Sequence, residues 1–484
     1  MAARRGHVLA LLVLLALAAT AAAAGGGRHH HRHRHGGKSA RLRLIPSAPG
    51  ASLADRALDD RHRHAYIRST LAARRGRRAA EVGASAFAMP LSSGAYTGTG
   101  QYFVRFRVGT PAQPFVLVAD TGSDLTWVKC RGAAGSSSPS AAPQQARVFR
   151  PAASKSWAPI ACASDTCTSY VPFSLANCSS PASPCAYDYR YKDGSAARGV
   201  VGTDSATIAL SEGGGGGGGG ADRDSSSSRR AKLQGVVLGC TASYDGQSFQ
   251  SSDGVLSLGN SNISFASRAA ARFGGCFSYC LVDHLAPRNA TSYLTFGPGP
   301  EDGASSPATP ASAPAAPEQT PLLLDRRMSP FYAVTVDAIH VAGEALPIPA
   351  DVWDVESSGG AILDSGTSLT ILATPAYRAV VAALSEKLAG LPRVSMDPFE
   401  YCYNWTAGAP EIPKLEVRFK GSARLEPPAK SYVIDAAPGV KCIGVQEGAW
   451  PGVSVIGNIL QQEHLWEFDL RDRLLRFKHT RCAL

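Results

Sequence analysis

Two short segments of this sequence place an aspartate in the same local setting. The first, residues 119–128, reads ADTGSDLTWV, and the second, residues 360–368, reads GAILDSGTS. In each, an apolar stretch leads to an aspartate, Asp120 or Asp364, and a glycine two positions later allows the backbone to turn tightly. Hydroxyl side chains on both sides of the glycine can donate hydrogen bonds to the carboxylate. The residues that support the aspartates are Thr121, Gly122 and Ser123 in the first segment and Ser365, Gly366 and Thr367 in the second.

The duplication carries more weight than either copy. One Asp-Thr/Ser-Gly triplet arises by chance in many chains of this length, because its residues are common. Two copies, each behind an apolar strand and one in each half of the chain, predict two duplicated lobes. We expect the lobes to bring Asp120 and Asp364 together at their joint.

A close pair of carboxylates can hydrolyse a peptide bond without a metal or a covalent intermediate. Like charges a few ångströms apart cannot both ionise cheaply, so the two groups share one proton. A water between them can lose a proton to the ionised aspartate and attack a carbonyl, while the protonated aspartate donates to the carbonyl oxygen. Because the pair works only when singly protonated, we predict an acidic optimum and no cofactor.

The elements that must hold these loops are mainly strands. Residues 102–108 alternate with period two, residues 115–118 form a short apolar run, and glycine, proline, asparagine and aspartate recur between such runs. The pattern of Pro375 to Leu388 predicts a helix, and a second helix is predicted in the leader from Ser52 to Ala73.

The N-terminus has the layout of a cleaved secretory signal. Arg4 and Arg5 precede an apolar run from Val8 to Ala19, and small residues follow, so we assign residues 1–24 to a signal peptide. A membrane anchor is the alternative, but the apolar run is shorter than the roughly 20 residues that span a bilayer. We therefore expect no membrane anchor.

The formal charge of +11 belongs to the leader. Residues 1–90 hold sixteen Lys and Arg against four Asp and Glu, and the rest of the chain holds 33 against 34. This distribution argues against a nucleic-acid partner. Residues 25–90 are predicted to be a basic prosegment that neutralises an acidic cleft until the pH falls. A solvated, disordered arm is the equally weighted alternative, and the histidines at 29–35 fit such a tail better than a metal site.

Eleven cysteines in an exported chain predict disulfides. Four of them lie within 24 residues, where the spacing lacks the paired pattern of a zinc site, so we expect no metal. The odd count leaves one cysteine over, and Cys276, four residues before Cys280, is our choice for it. The disulfide candidates are Cys130, Cys162, Cys167, Cys178, Cys185, Cys240, Cys280, Cys402, Cys442 and Cys482.

Three segments have compositions that bury too little apolar surface to pack: 132–145, 213–228 and 299–317. The last of these divides the chain into an N-terminal lobe, residues 91–310, and a C-terminal lobe, residues 320–484. The four glycosylation candidates, which also fit passage through the secretory route, are Asn177, Asn262, Asn289 and Asn404. The expected location is extracellular or the cell wall, with the vacuole as the alternative.

These motifs together resemble the pepsin-like aspartic protease family, and within it the plant nepenthesin-like group. The resemblance runs from about residue 100 to 482 and implies a mainly β, bilobal fold with the active-site cleft between the lobes. It implies that Ser123 and Thr367 bond the outer oxygens of the carboxylates, and that Thr121 and Ser365 lock the two loops together. It also implies a Cys402–Cys442 disulfide.

The resemblance extends to the substrate side of the cleft. The segment YKDGS, residues 191–195, is similar to the family's flap, in which Tyr191 would close over a bound peptide beside Trp127. Both aromatics have plainer readings, as a strand residue and a core residue. Segments 235–239 and 453–458 are similar to those that support each active-site loop. Lys192, where the group has glycine, and Cys130, which has no second cysteine close by, depart from the pattern.

The resemblance implies an endopeptidase that acts on proteins or peptides, binds pepstatin-type inhibitors and works as a monomer. The rival from another class is a binding protein on the same fold, such as the plant xylanase-inhibitor relatives that have lost proteolysis. This chain keeps both aspartates, both glycines and the flanking hydroxyls, which favours the enzyme. Acid hydrolysis of protein substrates separates the two.

Overall fold

The computed structural model of the chain describes most of residues 102–482 and two parts of the leader. In the leader it describes the backbone of 40–46 and ten residues between 53 and 71; beyond it, 102–130, 147–171, 180–190, 196–209, 230–245, 252–286, 292–297, 316–405 and 409–482. All of these residues belong to one compact unit. The predicted unpacked segments lie wholly or almost wholly outside the described residues.

The described residues are mainly strands. Up to residue 296 they are β1 (Ala40–Pro46), β2 (Tyr102–Val108), β3 (Gln113–Asp120), β4 (Thr126–Lys129), β5 (Ala158–Pro159), β6 (Ala186–Arg190), β7 (Ala196–Ala209), β8 (Arg230–Asp245), β9 (Gly254–Ser257), β10 (Cys276–Cys280) and β11 (Ser292–Phe296). The predicted alternation at 102–108 is confirmed as β2, whose side chains are buried except at Arg105 and Arg107.

The second half of the chain continues the same pattern. Its strands are β12 (Glu318–Pro321), β13 (Tyr332–Val334), β14 (Val336–Val341), β15 (Glu344–Ala345), β16 (Ala361–Asp364), β17 (Thr370–Ala373), β18 (Arg393–Met396), β19 (Phe399–Asn404), β20 (Leu415–Phe419), β21 (Arg424–Leu425), β22 (Val433–Ala437), β23 (Val440–Ile443), β24 (Val445–Gly448), β25 (Ser454–Gly457), β26 (His464–Asp469) and β27 (Leu474–His479).

Two α-helices outside the leader pack on these sheets. The first, α1 (Phe265–Phe273), begins at Ser264, whose side chain accepts a hydrogen bond from the amide of Ser267, as N-capping residues do. Its buried residues are Phe265, Ala266, Ala269, Ala270 and Phe273, which recur at three- and four-residue steps. The second, α2 (Thr374–Lys387), confirms the helix predicted at 375–388. The helix α1 was not foreseen.

The strands form one sheet of fourteen strands and three smaller ones. In the large sheet, β10 pairs antiparallel with β26, so that the two halves of the chain share it. At this joint the rings of Phe277 and Phe468 stack with centroids 4.7 Å apart, an arrangement that adds about 1 kcal/mol to the burial of the rings. The same sheet takes in β1 from the leader, between β11 and β2.

A four-strand arrangement occurs once in each half and confirms the predicted duplication. In the first half β3 pairs parallel with β9, β9 antiparallel with β4, and β4 parallel with β8. In the second half β16, β25, β17 and β24 pair in the same order and directions. Because β3 ends at Asp120 and β16 at Asp364, each half presents one aspartate from the same position.

This arrangement corrects one prediction about the supporting strands. The segment beside the first aspartate is β9, not residues 235–239, which lie in β8 and pair with β4. Both segments read as apolar residues bounded by glycine, and pairing across the sheet decides between them. Gly254 allows β9 to lie close against β4, because a Cβ atom at this position would be 1.9 Å from the carbonyl oxygen of Trp127. In the second half, 454–457 supports Asp364 as predicted.

The cysteines form disulfides between positions that are 18 to 202 residues apart in the sequence. The pairs are Cys130–Cys240, Cys167–Cys185, Cys280–Cys482 and Cys402–Cys442. The Cys402–Cys442 bridge that the resemblance implies is therefore present. Cys162 is also disulfide-bonded, and Cys178 lies outside the described residues. Among the described cysteines Cys276 is free and buried, as predicted.

The leader folds against the rest of the chain through one helical face. Its described residues between 53 and 71 are helical, which agrees with the predicted leader helix, and we call them the leader helix. They are Leu53, Ala57, Asp60, Arg61, Arg63, His64, Ala65, Ile67, Arg68 and Leu71. Leu53 and Ala57 pack in an apolar cluster with Leu369 and Ile434, whereas Ile67 and Leu71 join the cluster that contains Trp127.

The described helices include none that is long and apolar enough to cross a membrane. The predicted signal peptide lies outside the described residues.

Candidate active site

The two aspartates are held at the ends of buried strands. Asp120 and Asp364 are both fully buried. Parallel pairing fixes the strand ends, since Asp120 lies opposite Ser257 on β9 and Asp364 lies opposite Gly457 on β25. The backbone oxygen of Asp120 also accepts a hydrogen bond of 2.8 Å from the amide of Leu258. The strand ends therefore fix where the carboxylates lie.

Each carboxylate is oriented by its own turn. The amides of Gly122 and Gly366 donate to Oδ1 of Asp120 and Asp364, both at 2.9 Å. The other oxygen, Oδ2, accepts from the Ser123 hydroxyl in the first loop, and from the Thr367 hydroxyl at 2.6 Å in the second. Hydrogen bonds of this kind favour the ionised form of a carboxyl group and fix its rotation.

Two hydroxyls join the loops across the centre of the molecule. The hydroxyl of Ser365 accepts a hydrogen bond from the amide of Thr121 at 3.1 Å, and the hydroxyl of Thr121 accepts one from the amide of Ser365 at 2.9 Å. The Ser365 hydroxyl also donates to the carbonyl of Ala119 at 3.1 Å. Both residues are buried, so the link is shielded from water.

A second layer supports the loop after Asp364. Asn458 donates from its amide side chain to the carbonyl of Ser365 at 3.0 Å and from its backbone to the carbonyl of Thr367 at 2.7 Å. The amide of Ile459 donates to the carbonyl of Ser368 at 3.0 Å. Residues 458–459 therefore hold the backbone carbonyls of the loop that follows Asp364 and fix its conformation.

The two predicted substrate-side aromatics have different outcomes. Trp127 is buried in β4, opposite Gly239 and Val255, and packs in an apolar cluster with Tyr187. This buried position fits the plainer reading of Trp127 as a core residue, and its place on the substrate side of the cleft stays a prediction. Tyr191 and the rest of the flap segment, including Lys192, lie outside the described residues.

Arg63 of the leader helix lies between the carboxylates of Asp120 and Asp364. Its Nη2 atom is 2.5 Å from Oδ1 of Asp120 and 2.6 Å from Oδ1 of Asp364. Its Nε atom is 2.5 Å from Oδ2 of Asp364, and Nη1 is 3.3 Å from Oδ2 of Asp120. The two Oδ1 atoms are therefore at most about 5 Å apart, the sum of the two distances to Nη2.

The guanidinium is buried and charged. Only 1% of the Arg63 surface is exposed. Burial opposes its charge, but the attraction of Asp120 and Asp364 outweighs this cost and raises the pKa of Arg63 above its usual range. A planar fork of donors matches two carboxylates better than a single ammonium would.

The glycine of the second turn makes this contact possible. A Cβ atom at Gly366 would lie 2.5 Å from Cζ and Nη2 of Arg63 and 2.7 Å from Oδ1 of Asp120. Any larger residue would collide with the leader arginine and with the opposite carboxylate. Gly366 is therefore needed for the close approach of Arg63 and Asp120 as well as for the turn.

Four more residues of the leader helix make hydrogen bonds to the second half of the chain, and the first is Ala57, whose carbonyl accepts from the Gln446 side chain at 2.7 Å. Asp60 accepts hydrogen bonds from the backbone amides of Ser368, at 2.7 Å, and Leu369. Arg61 donates to the carbonyl of Pro398. His64 lies with Nε2 3.1 Å from the carbonyl oxygen of Val453. The leader helix thus covers the two carboxylates and is hydrogen-bonded to the chain beside them.

The sequence reasoning missed Asp60, Arg63 and His64. It treated the leader's basic residues as one field, whereas a single arginine makes the contact. The signal that could have identified Arg63 is its place on the predicted helix. It lies on the buried side of that helix with Ile67 and Leu71, where a charged residue needs a buried partner.

The arrangement supports general acid–base chemistry on a water. No group of metal-ligating side chains occurs among the described residues. A water bonded to both Oδ1 atoms would occupy the position of Arg63 Nη2. In the form with the leader helix in place, that position is filled, and the pair has no room for an attacking water.

Known proteins match this chain along most of its length. Residues 102–298 match the family described as xylanase inhibitor N-terminal, and residues 331–479 match xylanase inhibitor C-terminal. Aspartyl protease family protein 2 of Arabidopsis thaliana is 32% identical over 404 residues, which cover 82% of this chain and 74% of that protein. Aspartic proteinase nepenthesin-2 of Nepenthes gracilis is 28% identical, with 80% and 79% covered.

A solved structure agrees on the fold. The crystal structure of edgp superposes with a TM-score of 0.61 and 18% identity, and covers 92% of this chain and 95% of that one. The relatives named as aspartic proteases show that this chain is an aspartic endopeptidase acting on peptide substrates. The chain belongs to the plant pepsin-like aspartic protease family.

Proposed function

We propose that this chain is the precursor of a secreted endopeptidase that hydrolyses peptide bonds at acidic pH. Asp120 and Asp364 would activate a water, one as base and the other as acid. The observation that carries the proposal is the convergence of both carboxylates on one nitrogen of Arg63. Once the leader helix leaves, a water can bond the same two oxygens.

The acidic optimum follows from the pair. With Arg63 gone, two buried carboxylates face each other at most about 5 Å apart, and one of them must hold a proton. At neutral pH both would be ionised in a growing fraction of molecules, and the acid that donates to the substrate carbonyl would be missing. Activity should therefore rise as the pH falls below neutral.

The test is cleavage of denatured globin by the secreted protein between pH 2 and 7, with and without pepstatin. Wild type should cleave at acidic pH and stop with pepstatin, and Asp120→Ala should be inactive. Asp337→Asn, which changes an exposed aspartate on β14, should keep full activity and serves as the control. Absence of cleavage by the processed wild type at every pH would overturn the proposal.

That negative result would favour the rival function. The matching family models carry a description of xylanase inhibitors, which is a binding role. Tight binding to a plant or microbial enzyme, with no proteolysis, would then describe the protein better than hydrolysis does.

The leader is proposed to keep the precursor inactive. Arg63 fills the water position, and the leader helix is bonded beside the pair through Asp60 and His64. The N-terminus of the active form tests this proposal. It should lie beyond residue 71. An active protein that begins near residue 25 and keeps the helix would contradict it.

The remaining expectations concern the protein's surroundings. We propose export by the N-terminal signal to the extracellular space or cell wall, with the vacuole as the alternative, and action as a monomer without a membrane anchor. Asn262 and Asn404 are exposed, which supports glycosylation there, whereas Asn177 and Asn289 lie outside the described residues. Enzymatic removal of glycans should increase gel mobility, and light scattering should give the mass of one chain.

A further inference from the structure

One buried tyrosine contacts the surroundings of both aspartates. Tyr332 lies on β13 and pairs with Leu363, the residue directly before Asp364 on β16. Its hydroxyl donates a hydrogen bond of 2.8 Å to the carbonyl oxygen of Leu258, which follows β9. The amide of Leu258 in turn donates to the carbonyl oxygen of Asp120 at 2.8 Å. Tyr332 therefore lies beside the strand of one aspartate and bonds a residue that holds the other.

The peptide group between Leu258 and Gly259 is hydrogen-bonded at both ends. Its oxygen accepts from Tyr332, and its N–H donates to the carbonyl oxygen of Ser123 at 2.9 Å. The Ser123 hydroxyl donates to Oδ2 of Asp120. A donor at the oxygen of a peptide group polarises the group and strengthens donation by its N–H. The Tyr332 hydroxyl therefore acts on the backbone of Ser123, the residue that orients the Asp120 carboxylate.

The side chain of Tyr332 is fixed by its own surroundings. It is fully buried. Its ring centroid lies 5.8 Å from that of Phe277 on β10 and 4.9 Å from that of Phe468 on β26, the two rings that stack at the joint between the halves. Burial raises the pKa of Tyr332 above its usual range, so the hydroxyl stays protonated and able to donate at acidic and neutral pH.

A second contact from the same side holds the next residues. The amide of Asn260 donates to the carbonyl oxygen of Pro330 at 2.7 Å, and the Ser329 hydroxyl donates to the carbonyl oxygen of Asn260 at 2.8 Å. Gly259 allows this close approach, because a Cβ atom at this position would lie 2.8 Å from the carbonyl oxygen of Pro330. The chain after β9 is therefore held at two points by the second half of the chain.

The first half contains a similar tyrosine with different partners. Tyr102, the first residue of β2, is 3% exposed. Its hydroxyl donates to the carbonyl oxygen of Val282 at 2.8 Å and accepts from the side chain of Gln462 at 2.9 Å. Val282 follows β10 and Gln462 precedes β26, so this hydroxyl holds the joint between the halves rather than the loop of an aspartate. Tyr102 therefore provides a matched control for Tyr332.

We propose that Tyr332 is a positioning residue for Asp120. Its hydroxyl, which the second half of the chain supplies, fixes the peptide group 258–259 and thereby the Ser123 hydroxyl that sets the rotation of the carboxylate. The inference rests on the proposed catalytic role of Asp120. Because a misplacement of about 1 Å can lower a rate about a hundredfold, loss of one distant hydroxyl should be visible in kcat.

The experiment uses the processed enzyme and a peptide that spans a bond it cuts in globin. Tyr332→Phe removes only the hydroxyl, so kcat should fall about tenfold while KM changes less than about twofold, because the surfaces that bind substrate are kept. Tyr102→Phe should lower the urea midpoint by a similar amount and keep the wild-type kcat. A wild-type kcat for Tyr332→Phe, or equal losses of kcat in the two variants, would overturn the proposal.

A double-mutant cycle tests the route through Ser123. Ser123→Ala removes the hydroxyl that bonds Asp120, so Tyr332 can no longer act on the carboxylate through it. Adding Tyr332→Phe to Ser123→Ala should reduce kcat less than about twofold, against about tenfold in the wild-type background. Equal factors in the two backgrounds would show that Tyr332 supports the fold in general and does not act through Ser123.

Two results would strike the proposed function rather than this role alone. They are a wild-type enzyme that cleaves nothing and an Asp120→Ala variant with full activity. If wild type cleaves and Asp120→Ala is inactive, the proposed function stands, and the kcat values of the tyrosine variants alone decide whether Tyr332 positions Asp120.

Discussion

Thr121 and Ser365 bond each other's backbone amides through their hydroxyls, at 2.9 and 3.1 Å, across the joint between the two halves of the chain. Each residue belongs to a different catalytic loop, and each follows its aspartate directly. The separation of the two carboxylates therefore depends on this reciprocal pair. Disturbing one hydroxyl should affect both loops at once.

Replacing Thr121 with valine tests the reciprocal pair. The change keeps the shape of the side chain but leaves the buried amide of Ser365 without its acceptor, which costs about 1–3 kcal/mol of the free energy of unfolding. We expect a lower urea midpoint and at least about a tenfold drop in kcat. Thr121→Ser keeps the hydroxyl and should behave like wild type. Equal urea midpoints for the valine variant and wild type would contradict the role assigned to the pair.

Replacing Arg63 with methionine should release the leader helix. The variant keeps an unbranched chain but leaves Asp120 and Asp364 buried together without a cation, and breaking a buried ion pair from one side costs about 3–5 kcal/mol. We expect loss of the leader at pH 5 to accelerate at least about a hundredfold, measured by intact-mass spectrometry. The rate of leader loss in Arg63→Lys should lie between those of wild type and Arg63→Met, because an ammonium cannot match the fork of donors of a guanidinium.

Arg68→Met is the matched control for this change. Arg68 lies on the same helix about one turn further on, but its side chain is exposed. Its removal should alter the rate of leader loss only slightly. If Arg63→Met and Arg68→Met behaved alike, the contact with the catalytic pair would not be what retains the leader.

His64 gives the bound leader a second dependence on pH. Burial lowers the pKa of His64 to about 4 from an ordinary 6.5, the bond to the Val453 carbonyl opposes the shift, and the charge of Arg68 adds to it. The bound helix therefore holds a neutral histidine, while the released helix takes up a proton below pH 6.5. Protonation of His64 therefore leaves binding of the leader helix unchanged above pH 6.5. Between pH 6.5 and about 4 the binding weakens about tenfold for each pH unit.

The measurement is the rate of leader loss between pH 7 and 3.5 in wild type and in His64→Asn. Asparagine cannot titrate, so the rate of leader loss in His64→Asn should rise less steeply than in wild type between pH 6.5 and 4. Over that whole interval the increase in the variant should be smaller by up to about two orders of magnitude. His479→Asn, at an exposed position of β27, should follow the wild-type profile. Parallel profiles for His64→Asn and wild type would show that His64 does not contribute.

The Cys402–Cys442 disulfide should stabilise the half of the chain that carries Asp364. It joins the facing residues of β19 and β23 and closes a loop of 40 residues. On the chain-entropy account such a loop contributes about 4 kcal/mol. Changing both cysteines to alanine should lower the melting temperature by several degrees, measured without reductant. Cys276→Ala, which removes the free cysteine, should change it much less. Equal losses would contradict a role for the bridge.

The sequence was enough to predict the strands and turns that carry Asp120 and Asp364, because their pattern is local. An apolar run, an aspartate, a glycine two places on and two hydroxyls all lie within a few residues. The helix at Thr374–Lys387 was predictable for the same reason, since its buried residues repeat at helical steps.

The parts that were missed depend on contacts between distant residues. Segments 235–239 and 254–259 carry similar local patterns, and only pairing with Leu117 to Asp120 selects the second as the support of the first loop. The helix α1 spans only nine residues, fewer than the roughly 10 to 12 that separate a helical pattern from a short apolar run. Arg63 lies 57 residues from Asp120 and 301 from Asp364, and no spacing rule connects them.

The leader strand β1 lies inside the large sheet, with β11 on one side and β2 on the other. Cutting the leader away leaves the backbone groups of β11 and β2 that faced β1 without a partner. The gap between these two strands would be about 9.5 Å, twice the usual strand spacing. Another length of chain must fill the gap or the two strands must close it, because unpaired strand edges are costly and attract other chains. Once either has happened, the released fragment has no vacant position to rejoin. Removal of the leader, as proposed, would therefore run in one direction only.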